Sequence, residues 1–193
     1  MNTTKVVFPL AVAGIILMPF AHVLGGQMLH DEVPPAIARL QLRSISALPA
    51  TNSLDLAISL PLRDQAALDR LLSEIYNPAS TNYHRYLSPD QFTERFGPAE
   101  QDYQSLINFA KTNGLTVTAT YPNRTLLDVS GSVATIEKVF HVTLLVYRHP
   151  TENRTFYAPE SEPSIDLNLP ILHVTGLDNF ELPRPASING APP

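Results

Sequence analysis

No cysteine occurs in the sequence, so neither a disulfide framework nor a thiolate metal site is available. Glycine is scarce, with eight residues, and the chain has no glycine-rich phosphate loop and no G-x-S-x-G nucleophile turn. H-E-x-x-H is missing too. None of the six histidines (His22, His30, His84, His141, His149 and His173) stands four residues from another. A metal site would have to be gathered from several distant segments, so neither a metal nor a cofactor is expected. Basic residues are few: 13 Lys and Arg face 18 Asp and Glu, for a net charge of −5. Binding to phosphates needs a basic face, which argues against a nucleic-acid partner.

Long apolar runs are also lacking. The one candidate, Val6 to Ala21, is broken by Pro9 and Pro19, and a membrane span needs roughly 20 consecutive apolar residues. Lys5 precedes the run and small residues follow it, which reads as a secretory signal over residues 1–26. The mature chain is therefore expected to be secreted or periplasmic, with no membrane attachment after cleavage.

Proline, by contrast, is abundant, with 18 residues concentrated outside the periodic segments. This suggests a compact centre with extended arms. Residues 27–53 read as an N-terminal arm with a helical turn at Ala36 to Leu42. "LDLAISL" (Leu54 to Leu60) alternates as a half-buried strand. Leu68, Leu71, Leu72 and Ile75 then recur at helical spacing. A third segment, "SPDQFTERF", has Ser88 to cap, Pro89 at the first helical position and Asp90 in the first turn. A helix over Ala99 to Asn113 and strands at "LTVTATY" and "TLLDVSG" follow. A short helix capped by Ser132 leads to "HVTLLVYRH" (His141 to His149), apolar on both faces as a central strand would be. With the two early helices and their insert taken as one crossover, the order is βαββαβ. That is an α+β, ferredoxin-like plan, an antiparallel sheet with helices on one face and the other face left bare. The final residues, "FELPRPASINGAPP", have the composition of a linker.

The insert from Asn77 to Gly97 packs Tyr83, Tyr86, Phe92, Phe96 and His84 into what could be a short connector. Large rings with few rotamers suit either an interface or a local core. Phe92 and Phe96, four apart, are expected inward. Tyr83, His84 and Tyr86, with Leu87, are expected to face a partner. Carboxylates such as Glu160 and Glu162 lie in a polar, proline-rich stretch and read as solvated charges rather than a catalytic pair. Asn123 and Asn153 each open an N-R-T triplet, the glycosylation acceptor pattern.

The run "NPASTNYHRYLSPDQFTERFGPAEQDYQSLINFAKTNGL" resembles the activation domain of sedolisin-family peptidases, the pro-kumamolisin type. Its most specific element is P-x-S-x-x-Y-H-x-Y-L-[ST]-x-x-[EQ]-F, from Pro78 to Phe92. The later "TYPNRTLLDVSGSVATIEKVFHVTLLVYRH" and "TFYAPESEP" continue the likeness in order, so it covers residues 54–178. The resemblance implies a pro-domain that assists folding of a serine-carboxyl peptidase and inhibits it until acid-triggered cleavage. The family's catalytic and calcium-binding residues belong to a following domain, so none is carried over and no enzyme activity is expected of this chain. The resemblance further implies a peptidase-domain partner, in cis or in trans. Residues 179–193 would link to that domain, with Phe180, Glu181, Leu182, Pro183 and Arg184 occupying its substrate cleft.

Three other readings compete. A free-standing exported inhibitor or chaperone acting in trans fits the same residues. Acylphosphatase shares the topology but needs an arginine in a glycine-rich anion loop; "PLRDQAAL" offers Arg63 without glycine. A nucleic-acid module of this topology would need an aromatic RNP pattern, which is absent.

Overall fold

The computed structural model describes residues 26–182. Fourteen elements follow one another. They are β1 (Gln27–Met28), α1 (Pro35–Arg39), β2 (Ser44–Ala47), β3 (Ser53–Ser59), α2 (Gln65–Ile75), α3 (Pro89–Phe96) and α4 (Glu100–Thr112). Then come β4 (Thr116–Thr120), β5 (Leu126–Ser132), α5 (Val133–Val139), β6 (Leu144–Arg148), β7 (Thr155–Pro159), β8 (Ser164–Ile165) and β9 (His173–Thr175). The signal expected over residues 1–26 lies outside the described residues apart from Gly26, and so do Pro183 and Arg184 of the linker.

The main sheet has the order β4-β5-β3-β9, antiparallel throughout. Alternation along β3 sends Leu54, Leu56 and Ile58 inward, opposite Gly131, Val129 and Leu127 of β5. Helices α4 and α5 supply Tyr103, Leu106, Ile107 and Ala110, and Val133, Ile136 and Val139, to the same core. Each buried leucine, isoleucine or valine among them stabilises the fold by about 1.5–3 kcal/mol before entropy is set against it. Tyr103 also carries a polar joint. Its hydroxyl donates to Leu126 O at 2.7 Å and accepts from Tyr121 N at 3.1 Å, so the buried oxygen is satisfied.

The ferredoxin-like plan calls for the "HVTLLVYRH" strand at the free edge of β3. That edge is held by β9 instead. β6 is a central strand, but of a separate sheet, β2-β6-β7. The reason is local. The chain turns back directly after β6 to pair β7, and the N-terminal arm lays β2 on the other edge. Both hydrogen-bonding edges of β6 are then taken, and none remains for β3. The fold is mixed α/β with several antiparallel sheets.

The arm is thus part of the body. β1 pairs β8, and α1 forms where the helical turn was expected. Gly176, just after β9, has φ +101, and a Cβ there would meet Asp55 O at 2.4 Å. Only glycine lets this segment approach β3 so closely.

Candidate functional site

The insert is a small core of its own. Leu68, Leu71 and Ile75 of α2 bury Phe96 of α3, with Leu62, Leu87 and Phe92 packed around them. The start of α3 explains most of the family-like motif. Ser88 Oγ accepts from Gln91 N at 3.2 Å, and Gln91 Oε1 accepts in return from Ser88 N at 2.9 Å, a complete capping box. Leu87, the residue before the cap, and Phe92, at the fourth helical position, join the same cluster as a hydrophobic staple. The L-[ST]-x-x-[EQ]-F part of the motif is therefore a helix start. Leu87, expected to face a partner, is half-buried in the insert core because it serves this staple.

Two arginines bolt the insert to the body. Arg63 donates from Nε to Gly97 O and from Nη2 to Glu94 O at 2.6 Å, covering carbonyls at the end of α3. Arg124 donates from Nε to Pro98 O at 2.8 Å and pairs with Glu100 at 3.4 Å. A Cβ on Gly97 would meet Thr93 O at 2.6 Å, so the junction is tight. Arg63 is committed to these carbonyls, which removes it from the anion-loop role that an acylphosphatase would require.

Three rings of the insert stay outside. Tyr83, His84 and Tyr86 are exposed. Tyr83 stacks on His84 with ring centroids 3.8 Å apart, and His84 lies 6.1 Å from Tyr86. His84 has φ +56, and its N–H donates to Ile75 O at 3.0 Å, which holds the loop against the end of α2. Tyr76, at that same end, is 68 % exposed. The result is a tyrosine-rich patch of the kind enriched at protein interfaces.

The face of the main sheet away from α4 and α5 carries Asp55, Ala57 and Ser59 of β3, Asp128 and Ser130 of β5, and Thr116 of β4, all exposed or half-buried. A shallow depression of about 480 Å³ lies between Asp55, Thr118, Asp128 and Thr175. Tyr121 Oη donates to Asp128 Oδ2 at 2.7 Å, and this bond with the carboxylate charge raises the Tyr121 pKa. Hydroxyls and carboxylates line this face. The threonines of "LTVTATY" already carried that signal.

The C-terminal exit is held, not loose. Asn179 pairs with β7: Tyr157 N donates to Asn179 Oδ1 at 2.7 Å, and Asn179 N donates to Tyr157 O at 3.2 Å. Arg154 donates to Asn179 O at 2.9 Å and to Phe180 O at 2.5 Å. The Phe180 ring stacks on His149 at 4.8 Å and meets Phe156 edge-on at 5.0 Å. Phe180, expected to open the cleft-occupying linker, is therefore packed within the domain. Glu181 and Leu182, which follow it, are both exposed.

Beside this exit lies an open depression of about 620 Å³ lined by Glu32, Pro34, Arg39, His173, Asp178 and Phe180. Glu32 ties the N-terminal arm to β9. Its Oε1 accepts from Val174 N at 2.9 Å and lies 3.5 Å from His173 Nδ1, while Glu32 N donates to Glu162 at 3.1 Å. Burial is the main reason that the Glu32 pKa is raised, and it raises that of Asp178 likewise. Spacing gave no hint of Glu32 or Arg154, since their partners lie 142 and 26 residues away. Among the described residues no group of three or more His, Asp or Glu could hold a metal ion, and no helix is long and apolar enough to cross a membrane.

Comparison with known proteins matches residues 41–180 to the family described as Pro-kumamolisin, activation domain. Xanthomonalisin of Xanthomonas sp. (strain T-22) is 28% identical over 146 residues, covering 75% of this chain and 17% of that protein. Sedolisin of Pseudomonas sp. (strain 101) is 27% identical over 153 residues, 77% of this chain and 26% of the relative. Physarolisin of Physarum polycephalum is 27% identical over 84 residues, 44% of this chain and 14% of the relative. The chain thus spans about a quarter or less of the length of the curated relatives it matches. It belongs to the Pro-kumamolisin activation domain family and corresponds to the pro-region of sedolisin-type peptidase precursors, not to their catalytic domain.

Proposed function

We propose that this chain is the propeptide of an exported sedolisin-type peptidase, serving as its folding chaperone and inhibitor until acid triggers cleavage. The observation that carries the reading is the family match over residues 41–180, which spans nearly all of the folded body. In this reading β3, β4 and β5 with the helices packed on them form a ferredoxin-like core, with β9 in the place of the last strand. The polar sheet face and the Tyr83–His84–Tyr86 patch dock on the peptidase domain. Residues from Glu181 through Leu182, Pro183 and Arg184 run into the substrate cleft. The apolar stretch behind Lys5 directs export.

Inhibition by such a domain needs no chemistry. A docked surface excludes substrate, and the same contact stabilises whatever native peptidase it binds, by mass action. The test is direct. Purified residues 26–193 are added to an active sedolisin-type peptidase and the inhibition constant is measured at neutral and acidic pH. Tight inhibition near neutrality that weakens in acid is expected. No inhibition at either pH rejects the proposal.

A further inference from the structure

The loop between α2 and α3 differs from the rest of the chain in charge. The sequence has 18 Asp and Glu, yet residues 76–87 hold none, while Arg85 and His84 lie among them. Glu74, just before the loop, is engaged by Asn82, whose Nδ2 donates to its Oε2 at 2.6 Å. Asp90 and Glu94 of α3 border a separate depression with Pro122 and Arg124. The loop is therefore a locally cationic spot on an acidic domain.

What it offers is donors. The hydroxyls of Tyr76, Tyr83 and Tyr86 and the guanidinium of Arg85 have no partner among the described residues, and all four side chains are exposed. The imidazole of His84 carries at least one N–H in either charge state. These groups are held in place before any partner arrives. Ser80 N donates to Asn77 O at 2.9 Å, Arg85 N to Asn82 O at 3.0 Å and His84 N to Ile75 O at 3.0 Å. The stack of Tyr83, His84 and Tyr86 fixes the rings against one another. Rings and backbone ordered in this way lose little freedom on binding.

We propose that this loop is the seat for an acidic segment of the partner protein. Its carboxylates take the Arg85 guanidinium and the tyrosine hydroxyls, and its apolar atoms lie against the rings. Other occupants fit less well. A basic segment finds no carboxylate here and meets Arg85. A purely apolar segment covers a guanidinium and three hydroxyls without giving them acceptors, which is costly. A carboxylate satisfies them, and charge-assisted bonds are stronger than neutral ones. The charge also gives direction. An acidic domain as a whole repels an acidic segment, and this loop attracts it, so the field favours docking by the insert end. The seat rests on the propeptide reading for the partner's identity, but its chemistry belongs to this chain alone.

The experiment is an NMR titration of the purified chain near neutrality with a capped tetraglutamate peptide; capped tetraglutamine and tetralysine are the controls. Ring signals of Tyr83, His84 and Tyr86 and the Arg85 Nε–H signal are expected to move with tetraglutamate alone, with a dissociation constant of about 1 mM. Arg85→Gln should weaken this about fivefold, as loss of one exposed ion pair implies. Tyr83→Phe with Tyr86→Phe, which keeps the rings and deletes two donors, should weaken it as well, and neither variant should move the urea midpoint. Salt at about 0.5 M should weaken wild-type binding. Signals that stay fixed up to about 10 mM tetraglutamate overturn the proposal, as does a change below about twofold in Arg85→Gln. An equal response to tetraglutamine overturns it too. Light scattering is run alongside, and a dimer that dissociates in Arg85→Gln assigns the seat to a second copy and overturns the proposal. Against a sedolisin-type peptidase, Arg85→Glu should raise the inhibition constant about tenfold; an unchanged constant tells against the seat. A wild type that inhibits while tetraglutamate has no effect rejects the acidic seat alone. A wild type that binds tetraglutamate but inhibits nothing rejects the propeptide reading and upholds the seat.

Discussion

Replacing Glu32 tests how the N-terminal arm is fastened. Its carboxylate is the acceptor for Val174 N, and only 8% of the side chain is exposed. Glu32→Ala strands that amide. An unmade bond to a buried group costs about 1–3 kcal/mol, and the adjoining depression of about 620 Å³ admits water to the site. A loss of about 1–2 kcal/mol near neutrality is therefore expected. Glu32→Gln keeps an oxygen for Val174 N and should cost less, but it abolishes the titration. The sign of that titration follows from the raised pKa. Burial makes the folded state bind the proton more readily than the unfolded state does. The contribution to stability is fully present below the ordinary value of 4.5 and is lost as pH rises through the raised folded value. Wild type should thus gain stability from Glu32 on acidification, and Glu32→Gln should gain visibly less. Urea unfolding followed by circular dichroism at neutral and acidic pH gives both numbers. If Glu32→Ala were as stable as wild type at neutrality, or Glu32→Gln kept the whole acid gain, the account of this contact would be wrong.

Three further outcomes follow from the geometry. Gly176→Ala combines φ +101 with a 2.4 Å approach to Asp55 O; it should cost at least about 1–3 kcal/mol in thermal unfolding, the range for one strained backbone position, and a neutral result would refute the close packing of β9 on β3. Ser88→Ala removes half of the capping box of α3 and should lower stability by about 1 kcal/mol, while Ser88→Thr restores most of it. Tyr83→Ser with Tyr86→Ser should leave the urea midpoint within the range of ordinary surface changes, about 0.5 kcal/mol. The same double change should weaken inhibition of a sedolisin-type peptidase about tenfold or more, the usual scale for interface tyrosines; unchanged inhibition would take the tyrosine patch out of the docking surface.

What the sequence made legible is what neighbours in the chain decide. The alternation of Leu54, Leu56 and Ile58, and the helical spacing of Leu68, Leu71, Leu72 and Ile75, depend on period alone, and the structure buries all of these but Leu72, which is exposed. Pairings made at long range were not legible. Nothing in "SISA" announces that it will take one edge of β6, about a hundred residues away, and once it does, β6 is lost to the main sheet. The three residues of β9 are too few to show a period, yet they hold the edge assigned to β6. The insert motif shows the opposite problem. Its aromatic and leucine content drew attention to partners, while its spacing, Leu87-Ser88-x-x-Gln91-Phe92, already spelled out a staple and capping box. Reading the polar positions first would have assigned Leu87 inward.

The polar character of the open sheet face bears on whether the domain can stand alone. A broad apolar face left for a partner would make the free chain marginal and prone to aggregate. Here the apolar residues of β3 and β5 are already buried under α4 and α5, and the opposite side presents Asp55, Asp128 and a row of threonines and serines. Such a face can stay in water without penalty, so the docking proposed for it would have to be repaid by matching polar groups on the partner and not by removal of apolar surface. The apolar share of any interface then has to come from elsewhere, and the exposed rings of Tyr76, Tyr83 and Tyr86 are among the few large ones on offer. The proposed chaperone role calls for a domain of this kind, since a surface that formed only in the complex could not guide a partner's folding.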